Sequence, residues 1–168
     1  METQPHRLFG WQRLVQRLAA TRLVSPLLAP ILHHIDRPLM RLSGNRWSLT
    51  GALAGFPVAL LTTTGARSGQ ARTFPVLAIL DGERVALVAS NFGRARYPAW
   101  YHNLRARPEA TISIGGRERK YAAREAEGDE HAAYWQKALA LYVGIRAYKA
   151  WVGEKRRIPI MVLTPREE

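Results

Sequence analysis

The sequence predicts a mixed α+β fold, mainly β: a six-stranded antiparallel barrel on residues 51–168 behind a helical N-terminal extension on residues 1–50. Three observations carry this prediction. Short β-rich runs recur between tight-turn signals from Phe56 onward. One long helical pattern interrupts them, between the fifth and sixth runs, and residues 1–50 are apolar, basic and broken by prolines. Strands that follow one another through turns, rather than alternating with helices, argue for a small antiparallel barrel over a βαβ sheet.

From Leu8 to Ala19 the apolar residues Leu8, Trp11, Leu14, Val15, Leu18 and Ala19 recur at helical spacing, with Arg7, Gln12, Arg13, Gln16 and Arg17 between them. Such a helix packs on the domain or a second subunit, or lies as a basic amphipathic helix on an anionic membrane surface. The pattern leaves both open. Leu23–Leu42 is also apolar, but Pro26, Pro30 and Pro38 divide it into short helices and bends. No run of 18 apolar residues predicts a transmembrane helix, and Arg13, Arg17 and Arg22 interrupt any signal-peptide core. His33 and His34 are adjacent, so on a helix they face different ways, and no metal site is expected.

Phe56–Thr64 is the first predicted strand, and Gly65–Gly69 supplies turn chemistry before Thr73–Leu80, the second. Asp81-Gly82 folds Glu83–Ser90 back as a hairpin. Pro98–Arg107 reads as a short helix, with proline in its first turn and Trp100, Tyr101 and Leu104 at helical spacing. Ala110–Gly115 and Arg117–Arg124 form another hairpin around Gly115-Gly116. Asp129 caps a helix to about Tyr142, and Ile158–Leu163 is the closing strand.

The charge narrows the class of partner. There are 25 Lys+Arg against 13 Asp+Glu, a formal net charge of +12, and no cysteine. Disulfides, thiolate metal clusters and a cysteine nucleophile are excluded, so any redox chemistry comes from a coenzyme. The positive surface suits a polyanion: anionic lipid, nucleic acid or a phosphorylated cofactor. The basic residues are dispersed, with no long block and no aromatic interleaving, which argues against nucleic-acid binding.

Gly65-Ala66-Arg67-Ser68-Gly69 has neither the Walker A nor the G-x-G-x-x-G pattern, and a strand follows it. Arg67 and Arg72 still offer planar, permanently charged donors, and Ser68 and the glycine backbone offer neutral ones. That inventory fits phosphate; a turn with solvated arginines would look the same.

Three segments in order, LLTTTGARSGQARTFPV (Leu60–Val76), VASNFGRARYPAWYHNLRARP (Val88–Pro108) and RRIPIMVL (Arg156–Leu163), resemble the deazaflavin-dependent nitroreductase family. The resemblance implies a split β-barrel of the flavin- and deazaflavin-binding type that uses reduced coenzyme F420. It implies that Arg67, Ser68, Gly69, Arg72, Phe74, Pro75 and Val76 surround the coenzyme's phosphate and ring. Ala89, Ser90 and Asn91 would lie along the deazaflavin, and Ala99, Trp100, Tyr101 and Asn103 would close the site. Ser90, Tyr142 and Tyr148 are the implied catalytic residues, and Tyr142, Ile145 and Tyr148 the implied substrate contacts. Taken singly, Trp100 and Tyr101 also read as core, and Asn103 as a backbone anchor near its helix end.

The implied reaction is hydride transfer from reduced F420 to a quinone-like or nitroaromatic acceptor. Ile145 stands where nitro-reducing relatives carry tyrosine, and Val143 replaces a common proline, so a quinone is the expected acceptor. FMN is the alternative coenzyme, and a non-catalytic F420 or flavin carrier, membrane-associated, the alternative function. The expected location is cytoplasmic, with peripheral attachment to the inner face of the cell membrane, and a homodimer is compatible with the reading.

Overall fold

The structure, a computed structural model, describes residues 10–19, 21, 34–36, 38–40, 42–43 and 48–166. The readings for Arg7, Leu8, Arg22, Leu23, Pro26, Pro30 and His33, and for the side chains of Arg13, Leu14, Arg17 and Ala19, lie outside this description. Seven strands form one antiparallel sheet: β1 (Val58–Thr64), β2 (Ala71–Leu77), β3 (Ile79–Asp81), β4 (Arg84–Val88), β5 (Glu109–Ile114), β6 (Arg117–Glu125) and β7 (Ile160–Pro165). Among the helices of the described residues are α1 (Gly10–Ala19), α2 (Leu49–Ala54), α3 (Ala99–Ala106), α4 (Gly128–Leu141) and α5 (Gly144–Val152).

The expected six strands are seven because the run Thr73–Leu80 is not one strand. Leu77 still pairs with Val58 on β1, whereas Ile79 pairs with Ala86 on β4. The sheet order is β2-β1-β5-β6-β7-β4-β3, so two strands consecutive in sequence occupy its two ends. A single residue, the fully buried Ala78, joins them, and its N–H leaves the sheet pattern to donate to Pro57 O at 3.1 Å. The sheet therefore curls until its ends meet at this corner, where the side chain must be small. At the β2 edge Pro75 lies opposite Leu60, and an edge strand tolerates the missing donor. The turns of the β3–β4 and β5–β6 hairpins carry glycines at positive φ: Gly82 (60°) after β3, and Gly115 (58°) with Gly116 (82°) after β5.

Period-two alternation divides the core between the two faces of the sheet. Val85 and Leu87 of β4, with Met161 and Leu163 of β7, join Trp100, Tyr101 and Leu104 of α3 on one face. Ala86, Ile160 and Val162, from the same strands, meet Tyr134 and Ala138 of α4 and Ile145 and Tyr148 of α5 on the other. Two-sided burial explains the uninterrupted apolar run of β7.

Helix α5 was not foreseen in the sequence. Asp129, the expected cap, sits inside the first turn of α4, where its charge still complements the helix dipole. Helix α1 is oriented against its pattern: Gln12 and Gln16 are buried, while Trp11 (51%) and Leu18 (58%) are exposed. Gln12 Nε2 donates to Ala52 O at 3.2 Å, and Val143 N–H donates to Gln16 Oε1 at 3.4 Å, which docks α1 beside α2 and α5. Asp36 Oδ1 accepts from Leu49 N (2.7 Å) and Thr50 N (3.2 Å) and secures the start of α2.

Candidate functional site

The turn from β1 to β2 is closed by its own backbone. Gly69 N–H donates to Gly65 O and Gly65 N–H to Gln70 O, both at 2.8 Å. Gly69 has φ +67°, a conformation that favours glycine, and a Cβ on Gly65 would stand 2.6 Å from Ser68 Oγ and displace that side chain. The turn is pinned from outside by Asn103 of α3. This buried amide accepts from Ala66 N at 3.0 Å and donates from Nδ2 to Thr63 Oγ1 at 2.9 Å. Arg67, Ser68, Gly69 and Arg72 are exposed on the turn and the edge strand after it. Ser68 Oγ accepts from Gln70 N (3.3 Å), and Arg72 Nη2 donates to Gln70 Oε1 (3.1 Å). Arg67 makes no hydrogen bond or ion pair with a described residue.

The second group of candidate residues lies where β4 ends. The carbonyls of Ala89 and Ser90 both accept from Arg156, from Nη1 at 3.0 Å and Nη2 at 2.6 Å. The Arg156 guanidinium is buried, sits 4.7 Å from the Tyr97 ring centroid, and burial pulls its pKa down from the ordinary arginine range. Its Nε is buried and has no partner among the described residues. After Ser90 the backbone enters the left-handed region for three residues in succession: Asn91 (φ 48°), Phe92 (φ 55°) and Gly93 (φ 72°). Non-glycine residues there cost on the order of 1–3 kcal/mol each and persist where the surroundings impose them. Here Asn91 Nδ2 donates to Arg96 O at 2.8 Å, and a Cβ on Gly93 would stand 2.6 Å from the Trp151 ring.

Helix α5 and the end of α4 complete this group. Tyr142 and Tyr148 are buried with their hydroxyls 3.0 Å apart. Phe56 packs edge-on to Tyr142, and Phe92 edge-on to Tyr148 with ring centroids 6.2 Å apart. Burial, and then the neighbouring Tyr148, push the Tyr142 hydroxyl well above the ordinary phenol range. Gly144 allows the Tyr142 ring to lie directly against the backbone, since a Cβ there would collide with it.

The structure thus gathers the sequence-derived residues into two sets. Arg67, Ser68, Gly69, Arg72 and Asn103 surround the turn, with Asn103 as its anchor. Ala89, Ser90, Asn91, Tyr142, Ile145 and Tyr148 surround the end of β4, with Ile145 buried beneath. Phe74 and Val76 are half-buried on β2 and pack on the first face of the core, while Pro75 is half-buried between them. Trp100 and Tyr101 stand in the core, Tyr101 donating to Glu125 Oε2 at 2.9 Å, and Ala99 is exposed at the start of α3. Sequence reasoning overlooked Arg156 and Phe92. The first lay inside a quoted motif without a role, and the second follows an Asn and precedes a Gly, the one local sign of a left-handed turn.

The family described as F420H(2)-dependent quinone reductase matches residues 38–165 of the chain. A protein of Mycobacterium tuberculosis named F420H(2)-dependent quinone reductase Rv1261c is 32% identical over 142 residues, covering 79% of this chain and 94% of that one. Among solved structures, one described as an F420-H2 dependent reductase (FDR-A) superposes with a TM-score of 0.59 at 33% identity, over 64% of this chain and 93% of that one. Another, described as a domain-swapped dimer, gives 0.61 at 28% identity, over 77% of this chain and 96% of that one. The curled antiparallel sheet is the architecture these structures share with the chain.

Proposed function

The chain belongs to the F420H(2)-dependent quinone reductase family, and is accordingly an oxidoreductase that uses F420H2; on that premise we propose how its residues hold the coenzyme and present a quinone to it. The residues present fit such a coenzyme. The turn offers a phosphodiester the free guanidinium of Arg67, and Arg72 stands beside it. The half-buried Phe74, Pro75 and Val76 offer apolar cover for a ring, and the orphaned Nε of Arg156 is a buried donor beside the Ala89–Ser90 strand end. When bound, F420H2 supplies a hydride, two electrons and one proton, to the acceptor.

The protein's own contribution is orientation. Arg67, Ser68, Gly69 and Arg72 hold the anionic chain, and Asn103 keeps their turn in place. Arg156 fixes the Ala89–Ser90–Asn91 backbone along the ring. Trp100 and Tyr101 act from beneath, as packing that sets where α3 presents Asn103, and Ala99 begins that helix at the rim. On the acceptor side stand Ser90, Tyr142 and Tyr148, with Ile145 packed beneath them. The paired Tyr142 and Tyr148 hydroxyls are the donors offered to an acceptor oxygen, and the second proton of the hydroquinone comes from water. Ile145, buried beneath the tyrosine pair, supplies no phenol donor at its position, which favours a quinone over a nitroaromatic acceptor.

The observation that carries this reading is the pinned turn with Arg67 free above it. Fluorescence titration with F420 and with FMN tests it: saturable F420 binding with weak or no FMN binding is expected. Binding of FMN alone would overturn the coenzyme assignment. A carrier without activity would show no oxidation of F420H2 when menadione is added.

The orientation of α1 favours one addition. The helix turns its glutamines to the protein and Trp11 and Leu18 outward, and Ile35, Leu39, Leu42 and Leu53 on the N-terminal extension and α2 are exposed as well. With a net charge of +12, that surface suits peripheral attachment to an anionic bilayer at the cytoplasmic face. Among the described residues no helix is long and apolar enough to cross a membrane. Co-sedimentation with phosphatidylglycerol vesicles at low salt, reduced by Trp11→Ser with Leu18→Ser, is expected; equal recovery of both proteins would sink the idea. Residues 1–50 act in this reading as an attachment unit on the domain of residues 51–168, which pairs as a homodimer.

A further inference from the structure

We propose that Phe92 is the ring against which the acceptor packs, a specificity-determining residue for acceptors with fused aromatic rings; the inference rests on the functional reading above. Phe92 is a large apolar side chain left 41% exposed on a backbone conformation that L-residues avoid. A loop free to choose would relax the backbone or bury the ring. This loop does neither, because contacts on every side hold it. Arg156 takes the two carbonyls before the turn, and Asn91 Nδ2 takes Arg96 O behind it. Gly93 N–H donates to Ser90 O and Arg94 N–H to Asn91 O, and Gly93 lies against Trp151 of α5.

The common result of these contacts is the position of one ring. Phe92 follows Ser90 by two residues and stands edge-on to the Tyr148 ring, so it adjoins two of the candidate acceptor-side residues. An electron-poor planar ring is the ligand such a face attracts, through offset stacking or edge contacts with the phenyl group. The preference grows with ring area, so a naphthoquinone gains from Phe92 and a one-ring benzoquinone gains little. Hydrophobic packing and ring electrostatics set the choice, while the hydroxyls of Ser90 and the tyrosines meet the polar carbonyls.

The test compares menadione with p-benzoquinone as acceptors for the full chain and for Phe92→Gly, Phe92→Leu and Phe92→Trp. Glycine adopts the left-handed conformation freely, so Phe92→Gly retains its fold, which thermal unfolding checks. The expected result is a KM for menadione raised about tenfold in Phe92→Gly, with kcat and F420 affinity changed less than about twofold. The benzoquinone KM moves little, Phe92→Leu falls between, and Phe92→Trp restores the preference. An unchanged ratio of the two KM values in Phe92→Gly overturns the inference, and so does an equal loss of F420 affinity. Should Phe92→Gly unfold, Phe92→Leu carries the same comparison, and an unchanged ratio there overturns it equally. A wild-type chain that fails to bind F420 or to oxidise F420H2 overturns the underlying reading, an outcome separable from the first two because it appears without any substitution.

Discussion

Asn103 anchors the turn proposed for the coenzyme's phosphate from outside it. Its amide satisfies Ala66 N and Thr63 Oγ1 together, so removing it strands two partners at the base of the turn. Asn103→Ala should cost about 1–3 kcal/mol in urea unfolding and weaken F420 binding through the loosened turn. Arg67→Ala should do the opposite: it leaves unfolding unchanged, because the side chain is exposed, and weakens F420 binding by about 1–3 kcal/mol for a lost charge-assisted bond. Titration of both variants beside their unfolding curves separates the anchor from the ligand contact. Asn103 also marks where residue-level reading of the sequence stops. Its polar, helix-end position suggests a backbone partner, but the partner is 37 residues away, and only the packing of α3 on β1 brings the two together. Arg156 was illegible for the same reason, since its carbonyl partners lie 66 and 67 residues earlier.

At the scale of elements, hairpins and their turns were legible because their chemistry is local: Asp81-Gly82 and Gly115-Gly116 mark their strands without reference to the rest of the chain. The division of Thr73–Leu80 was not, because Ala78 looks like any strand residue until β1 and β4 compete for its neighbours. Helix α5 was hidden by aromatic and glycine residues with modest helix propensity, and it is packing on the second core face that selects the helix. The junction between α4 and α5 depends on Gly144. A methyl group there would collide with the Tyr142 ring, so Gly144→Ala should destabilise the fold by about 1–3 kcal/mol and displace the tyrosine pair. Calorimetry and the near-ultraviolet circular dichroism of the buried tyrosines would report both effects.

For the whole molecule, the titrating groups define a window of stability. The Asp81 carboxyl is held below its ordinary range first by the Lys137 hydrogen bond and then by Tyr134, and Glu130 is held low by Arg124. A lowered carboxyl stabilises the fold above its unfolded value, and that contribution is lost as pH falls through the lower folded value, so an acid limb is expected below about pH 4. Tyr142 acts at the other end. Burial keeps it protonated in the folded state, so its contribution is complete below about pH 10 and declines above, where the unfolded chain ionises. Urea midpoints against pH should show both limbs, and Tyr142→Phe should flatten the alkaline one; an unaltered alkaline limb would place its origin elsewhere.

The corner at Ala78 has a consequence for how such a site is inherited. Because one residue links β2 to β3, the stretch from Gly65 to Asn91 is a single uninterrupted cassette. It begins at the turn proposed for the anion and ends at the backbone proposed to lie along the ring. Recombination that exchanged this cassette would transplant both halves of the coenzyme cradle in one piece. Besides strands that pair as β1 and β7 do, the recipient would need an amide at position 103 to moor the turn and a guanidinium at position 156 to moor the strand end.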